Sequence, residues 1–259
     1  MDFTSMESAI PNCLCELGVL PGDTVFMHSD AIVIAQFLNQ SVECGINKFL
    51  DLIEDYLGPK GTLILPTFTY SFTKNEIFDV LGTPSTVGMI TEVFRLRKNT
   101  KRSMDPIFSV ACSGWDSNWY ALSDSEECFG KDSVFGRLHQ KNGWLVGFGC
   151  PFDRITFTHY AEKNENVDYR YDKEFSGIKI DANGLQISSR SKYFVRDLTR
   201  KTHVSLDLLK TILQEKQMVS FAIFGRIKNW AVRSNDFYQE AKCLLANKPN
   251  GMIEEGKFA

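Results

Sequence analysis

The chain alternates between apolar positions at helical spacing and short unbroken apolar runs. Ala9, Ile10, Cys13, Leu14 and Leu17 fall on one face of an N-terminal helix, which Gly18 and Pro21-Gly22 stop. Thr24-Val25-Phe26-Met27 then runs into His28-Ser29-Asp30, the pattern of a buried strand meeting a loop. Ile46, Phe49, Leu50, Ile53 and Leu57 mark a second helix, ended by Gly58-Pro59-Lys60-Gly61. Thr62-Leu63-Ile64-Leu65, before Pro66, predicts a second buried strand. Strand, helix and strand in this order predict a parallel crossover unit, and open α/β sheets bind ligands where such strands end.

Further along, Met89 to Arg97 predicts a helix that runs into the basic residues Arg95, Arg97, Lys98, Lys101 and Arg102. Phe108 to Cys112 and Trp144 to Gly149 predict strands. From Ile178 the texture becomes antiparallel, because Ile178-Lys179-Ile180 and Leu185-Gln186-Ile187 flank Asp181-Ala182-Asn183-Gly184, a hairpin signal. Lys192 to Val195 extends this part, Leu206 to Glu215 predicts a helix, and Ser220 to Arg226 another strand. The tail from about Lys248, through Glu254-Glu255-Gly256-Lys257, is polar and is expected to fray. The expected fold is α/β, a mixed central sheet with parallel crossover units and an antiparallel C-terminal part. It is expected to form a single domain over residues 1–259, with its core over about 8–240.

Composition narrows the function classes. At 259 residues, 43% hydrophobic and 24% charged, the chain can bury a sizeable core. A net charge of −3 gives no electrostatic reason to expect nucleic acid or an anionic membrane as partner. No apolar run approaches the length of a spanning helix, and Met1 to Glu7 lacks the basic-then-apolar pattern of a secretion signal, so a cytoplasmic location is expected. Seven cysteines at scattered positions, Cys13 and Cys15 the one close pair, fit neither metal-ligand spacing nor a disulfide framework. Reduced and mostly buried thiols are expected, and no metal.

Of the four histidines, His28, His139, His159 and His203, the third has the most suggestive surroundings. In Thr156-Phe157-Thr158-His159-Tyr160-Ala161-Glu162, positions 159 and 162 share a helix face. A carboxylate there would orient the imidazole, fix its tautomer and raise its basicity for work as a base. Thr156 and Thr158 are candidate caps for that helix. A His and a Glu three apart are also commonplace on helices that do nothing chemical.

The company of this motif is more specific. Gly147 through Gly177, with Phe152, Thr156, His159-Tyr160-Ala161-Glu162, Tyr169-Arg170-Tyr171 and Lys173, resembles the signature region of the aminoglycoside 3-N-acetyltransferase family. Val25 to Ala31, Gly61 to Thr69, Thr83 to Gly88 and Arg102 to Ser109 resemble further landmarks of that family in the same order. The resemblance implies an α/β enzyme that moves an acyl group from acetyl-CoA, or another acyl-CoA, to an amine, without a metal. It implies His159 as general base and Glu162 as its acidic neighbour. It also implies that His28, Ser29, Asp30 and Ala31 contact the cofactor, with Arg102, Ser103, Phe108, Ser109 and Val110 completing the donor site. Taken on charge alone, the basic residues from Arg95 to Arg102 read as a solvated helix end. The chain departs from the family pattern at Asp30, where many relatives carry Ser, and at Asp105, where they carry His. A carboxylate beside the phosphates would repel them, so Asp30 is expected to face the amine or to cap a helix.

For the acceptor, the stretch Thr69 to Asp79 is short, aromatic and weakly acidic, where drug-modifying members carry a longer Trp- and Asp-rich insertion. The expected acceptor is therefore an amino sugar, free or nucleotide-linked, of the kind used for bacterial surface polysaccharides. Tyr70, Thr156 and Tyr169 are the acceptor-contacting candidates. An aminoglycoside antibiotic is the first alternative. A catalytically silent coenzyme A-binding protein is the second, and the intact His159/Glu162 pair argues against it. A homo-oligomer is compatible with the sequence and not specified by it.

Overall fold

The computed structural model describes residues 3–37, 41–200 and 202–254. Helix α1 (Phe3–Glu16) leads to strand β1 (Thr24–Ser29), which a 3-10 turn (Ala31–Gln36) follows directly. Helix α2 (Val42–Leu57) and strand β2 (Thr62–Pro66) complete the expected crossover, with β1 and β2 parallel and Val25 opposite Leu63. The ends of α2 follow local chemistry. Ser41 accepts the Cys44 N–H on its hydroxyl, and Gly58, at φ 67°, turns the chain out of the helix.

Strand β3 (Phe78–Asp79), helix α3 (Met89–Arg95), strands β4 (Lys101–Arg102) and β5 (Val110–Gly114), and helices α4 (Ser117–Ala121) and α5 (Val134–Gln140) come next. Strand β6 (Trp144–Phe148), helix α6 (Thr158–Asn164) and the long strands β7 (Arg170–Ile180) and β8 (Gln186–Arg196) follow. The chain closes with β9 (His203–Val204), α7 (Asp207–Glu215), β10 (Val219–Phe224), β11 (Ile227–Arg233), α8 (Ser234–Asn247) and β12 (Ile253–Glu254).

The main sheet has the order β10-β11-β6-β1-β2-β5-β4. Its middle strands β6, β1 and β2 are parallel, and antiparallel pairs flank them on both sides. Antiparallel pairing is thus not confined to the C-terminal part, since β5 and β4 supply it from the first half. Alternation of side chains sorts the core into two layers. Val25 and Met27 join α1 and α2 on one face, whereas Phe26 meets α5, α7 and α8 residues on the other. Strands covered on both faces are apolar throughout, which is why the sequence shows unbroken runs there.

The hairpin β7–β8 stands outside this sheet and pairs with β3. Its turn is built as the residues predict, with the Asp181 carboxylate accepting from the Asn183 and Leu185 amides and Gly184 at φ 82°. Three expectations need correction. The strand at 108–112 begins only at Val110, because Asp105 accepts the Ile107 and Phe108 amides and holds them in a turn. The tail beyond Lys248 does not fray as a whole, since Met252 and Ile253 are buried and β12 pairs with β9, while residues 255–257 lie outside the described residues. The seven free cysteines are not mostly buried. Cys13, Cys112 and Cys128 are, but Cys15, Cys44 and Cys243 sit on outward faces of α1, α2 and α8. Among the described residues, no helix is long and apolar enough to cross a membrane.

Gly147 in β6 lies opposite Trp230 in β11. A Cβ at 147 would sit 2.0 Å from the Trp230 ring, which leaves no room for any side chain. Gly147→Ala is expected to destabilise the fold by at least about 1–3 kcal/mol, the usual cost of overpacking. Urea denaturation checks this, and an unchanged midpoint would show that the indole moves freely.

Candidate active site

A cavity of about 540 Å³ opens where the parallel strands end. His28, Ser29 and Asp30 reach it from the end of β1, Pro66 from the end of β2 with Phe68 and Tyr70 just beyond, and Cys150, Pro151 and residues 153–156 from beyond β6. His159 on α6 completes one wall. This is the edge at which the crossover pattern places a ligand.

One turn of α6 brings His159 Nδ1 to 2.7 Å from Glu162 Oε2. Glu162 is fully buried, and a buried carboxylate needs partners. It has three. The Tyr169 hydroxyl donates to its Oε1 at 3.1 Å. Arg170 Nε lies 2.7 Å from Oε2, too far off line for a hydrogen bond but close enough for an ion pair. His159 is the third, and only its ring reaches the cavity. Burial holds the His159 imidazole below the usual histidine range, the Arg170 charge lowers it further, and Glu162 opposes both. The ring is therefore neutral at neutral pH. With Nδ1–H donated to the carboxylate, Nε2 keeps a lone pair, as a base requires.

His28 is a different kind of histidine. It is buried, and its Nε2 accepts the Thr156 N–H at 3.3 Å, which ties the end of β1 to the approach of α6. Burial lowers it to about 4, so it too is neutral. Neither threonine caps α6, because Thr156 contributes its backbone and the Thr158 hydroxyl is buried without a partner. Asp30 takes the second of its expected roles, accepting the Ile32 N–H at 2.8 Å to cap the 3-10 turn. Ala31 opens that turn, exposed and off the cavity wall. The Ser29 hydroxyl lies on the wall with no protein partner. His139 packs among Phe157, Tyr160 and Tyr238, and His203 is exposed beside Arg196.

The second group of donor-site candidates lies behind the cavity. Arg102 is buried over the Phe78 ring and donates to the Thr67, Val80 and Thr83 carbonyls. Its Nε–H faces the Thr67 and Ser109 hydroxyls, so four of its five N–H donors are engaged within the protein. Ser103 accepts the Val110 N–H, and Ser109 donates to the Thr67 carbonyl. Phe108 packs against Phe68, Tyr70 and Tyr193. Val110 is fully buried. These five residues brace the Pro66–Tyr70 wall and do not line it. The basic residues before them are scattered, with Arg95 on Glu92 and Arg97 on Asp51 and Glu54.

Tyr169 lies off the cavity wall, fully buried, with its hydroxyl on Glu162. Tyr70 does reach the cavity, from a left-handed backbone at φ 56°, a conformation that non-glycine residues rarely hold without a reason. Arg170 is the residue that spacing misses. An arginine inside an aromatic run carries no signal that it folds back onto a carboxylate.

A family model described as "Aminoglycoside 3-N-acetyltransferase" matches residues 27–246. The aminoglycoside N(3)-acetyltransferase IV of Salmonella sp is 29% identical over 173 residues, 65% of this chain and 63% of that protein. The prophage-derived aminoglycoside N(3')-acetyltransferase-like protein YokD of Bacillus subtilis (strain 168) is 26% identical over 183 residues, 62% of this chain and 65% of that protein. Both alignments therefore span less than two thirds of the relative's length. In fold, the chain is similar to a solved structure described as AAC-IIIb binary with CoASH, with a TM-score of 0.78, 17% identity, and coverage of 97% of this chain and 98% of that one.

Protonation of His28 must open its buried site, whereas the unfolded chain takes the proton freely. A depressed folded value gives stability that is complete above pH 6.5 and is lost as pH falls toward about 4. The gap corresponds to roughly 3 kcal/mol at most. Calorimetric melting at pH 7 and pH 4.5 should therefore show a smaller acid-induced fall in Tm for His28→Gln than for the parent. An equal fall would mean that His28 does not hold its proton off.

Proposed function

The chain belongs to the aminoglycoside 3-N-acetyltransferase family, and on that premise we propose that it transfers an acetyl group from acetyl-CoA to an amine of an aminoglycoside. The observation that carries this reading is a neutral His159, braced by Glu162 and facing a cavity large enough for a sugar ring and a thioester. Acetyl-CoA supplies the activated acyl group. An ammonium has no lone pair, so the amine reacts after losing its first proton to solvent, and His159 Nε2 takes the second as the nitrogen attacks. The N–C bond forms, the C–S bond breaks, and the proton on Nε2 is available to the departing thiolate. Glu162 holds the ring in register and stabilises its charged form. Because no side chain need be acylated, transfer within a ternary complex suffices.

The fit to the donor is local. The Ser29 hydroxyl, buried and unpartnered on the wall, is free to bind it, and the exposed Arg154 adds a cation at the cavity rim. Arg102 lies off the cavity wall, with most of its donors engaged by hydroxyls and carbonyls.

The expectation of a polysaccharide amino sugar gives way to the aminoglycoside. Both curated relatives carry aminoglycoside acetyltransferase names. The loop argument also loses its footing, because within residues 69–79 only Tyr70 lines the cavity. Lys74 donates to the Thr69 carbonyl, and Asp79 accepts amides of its own turn. The carboxylates that do line the cavity are Asp30 and Asp153, each with one oxygen engaged by a backbone N–H. Their remaining oxygens are available to an ammonium.

His159→Ala is expected to lower turnover by about 10²–10⁴, and a variant that keeps more than a tenth of the activity would exclude the base role. Two neighbours should shift the acidic limb of the pH–rate profile in opposite directions. Glu162→Gln removes the partner of the imidazolium and moves the limb to lower pH, whereas Arg170→Gln removes an opposing charge and moves it to higher pH. Equal shifts would mean that the two residues do not act through His159. Thiol release from acetyl-CoA, measured across aminoglycosides and nucleotide-linked amino sugars, tests the acceptor. Efficient transfer to the second class with none to the first would overturn the reading.

A further inference from the structure

Helix α6 carries both His159 and Glu162, yet it is only seven residues long, about two turns. A helix this short does not hold itself in water and takes its place from the packing around it. No side chain caps its N-terminus, and the Thr158 hydroxyl has no partner. Its front is pinned at one residue, where Arg170 and Tyr169 meet Glu162. A single pin leaves the helix free to pivot about it, so the aim of His159 Nε2 needs a second.

Two further attachments lie away from the cavity. Tyr160 is buried off the cavity wall, and its hydroxyl lies 3.1 Å from Nδ1 of His139 on α5. The His139 ring packs on Tyr238 of α8, with centroids 4.4 Å apart. The Tyr238 hydroxyl donates at 2.8 Å to Glu165, the residue that closes α6, and Lys242 of α8 stands 3.9 Å from the same carboxylate. The path leaves α6 at Tyr160, passes through α5 and α8, and returns to α6 at Glu165. Burial alone would be served as well by apolar rings, whose contacts have no direction. Hydrogen bonds demand a distance and an angle, so this closed path fixes how the helix is turned as well as where it lies.

We propose that His139 and Tyr238 are positioning residues for the transfer, which act through Tyr160 and Glu165 to seat α6 and hold His159 Nε2 in line with the attacking amine. This rests on the acyltransferase reading. Neither residue lines the cavity. Nor does either set the proton affinity of His159, which follows from burial, Arg170 and Glu162.

Steady-state kinetics of the full chain with acetyl-CoA and an aminoglycoside, followed across pH, is the test. His139→Leu and Tyr160→Phe each remove the bond to α5, and Tyr238→Phe removes the bond to Glu165. In His139→Leu and Tyr160→Phe, kcat should fall about tenfold while both KM values stay within about twofold, since a misplacement of about 1 Å can cost up to about 10² in rate. The double variant should lose no more than either alone, because both break one bond. Tyr238→Phe should lower kcat in the same way and to a smaller extent, since Lys242 still holds Glu165. The acidic limb of the pH–rate profile should stay at its parental position, unlike that of Glu162→Gln or Arg170→Gln. His139→Gln, whose amide can bond the same hydroxyl, should restore most of the rate. Tyr160→Phe keeps its ring in place, and an unchanged Tm verifies its fold. Parental kcat in that variant would overturn the proposal and leave the acyltransferase reading standing. So would a limb that moves with the rate, or a loss in His139→Gln equal to that in His139→Leu. A parent chain that acetylates no amine would instead remove that reading and this one with it.

Discussion

A carboxylate sealed from water organises the functional half of the molecule. Glu162 has no exposed surface, and an isolated charge there would cost several kcal/mol. The fold answers with the Arg170 guanidinium at the first residue of β7, the Tyr169 hydroxyl just before it, and the His159 ring one helical turn away. Because the partners come from α6 and from the start of β7, the same cluster that satisfies the charge also fixes α6 against the long hairpin. The imidazole is thus aimed by a structural necessity, and its orientation follows from the packing of the fold. The cluster also balances the proton affinity of His159, with a cation on one side and an anion on the other.

Two residues that depart from the family pattern obey one rule. Asp30 and Asp105 stand one and two residues after Ser29 and Ser103, which the family resemblance ties to the donor, so the sequence alone places two extra charges near phosphates. Each instead accepts backbone amides two or three residues ahead, Ile32 for the first and Ile107 and Phe108 for the second. A short acidic side chain in a loop binds its own backbone before it binds anything else. Burial nevertheless raises the Asp105 carboxyl above its usual range, so the two accepted hydrogen bonds offset only part of the cost.

Much of the frame was legible in the sequence, for a physical reason. Unbroken apolar runs such as Leu63-Ile64-Leu65 can only be strands covered on both sides, and helical stripes such as Ile46, Phe49, Leu50 and Ile53 name their own buried faces. His159 and Glu162 were legible because three residues along a helix is a contact distance. Long-range neighbours were not. Arg170 reaches Glu162 only because a loop turns back, and no spacing shows that the carbonyls of Thr67 and Thr83 surround Arg102, which the family resemblance ties to the donor. Strand β11 and helix α8 escaped the pattern as well, since Lys228 and Asn229 interrupt one, and Ser234 and Glu240 sit buried in the other through specific partners.

The order of strands in the main sheet also bears on how the chain leaves the ribosome. β1 is made first, yet one of its two neighbours is β6, more than a hundred residues later, and α1 packs on β10, which arrives later still. Until residue 148 has emerged, one edge of β1 and its apolar side chains have no native partner, and α1 waits for residues 219–224. Synthesis at roughly 5–20 residues per second therefore leaves an uncovered parallel strand for seconds. Nascent chains of this protein should depend on holding chaperones during that interval, and fragments that stop short of β10 should aggregate rather than fold.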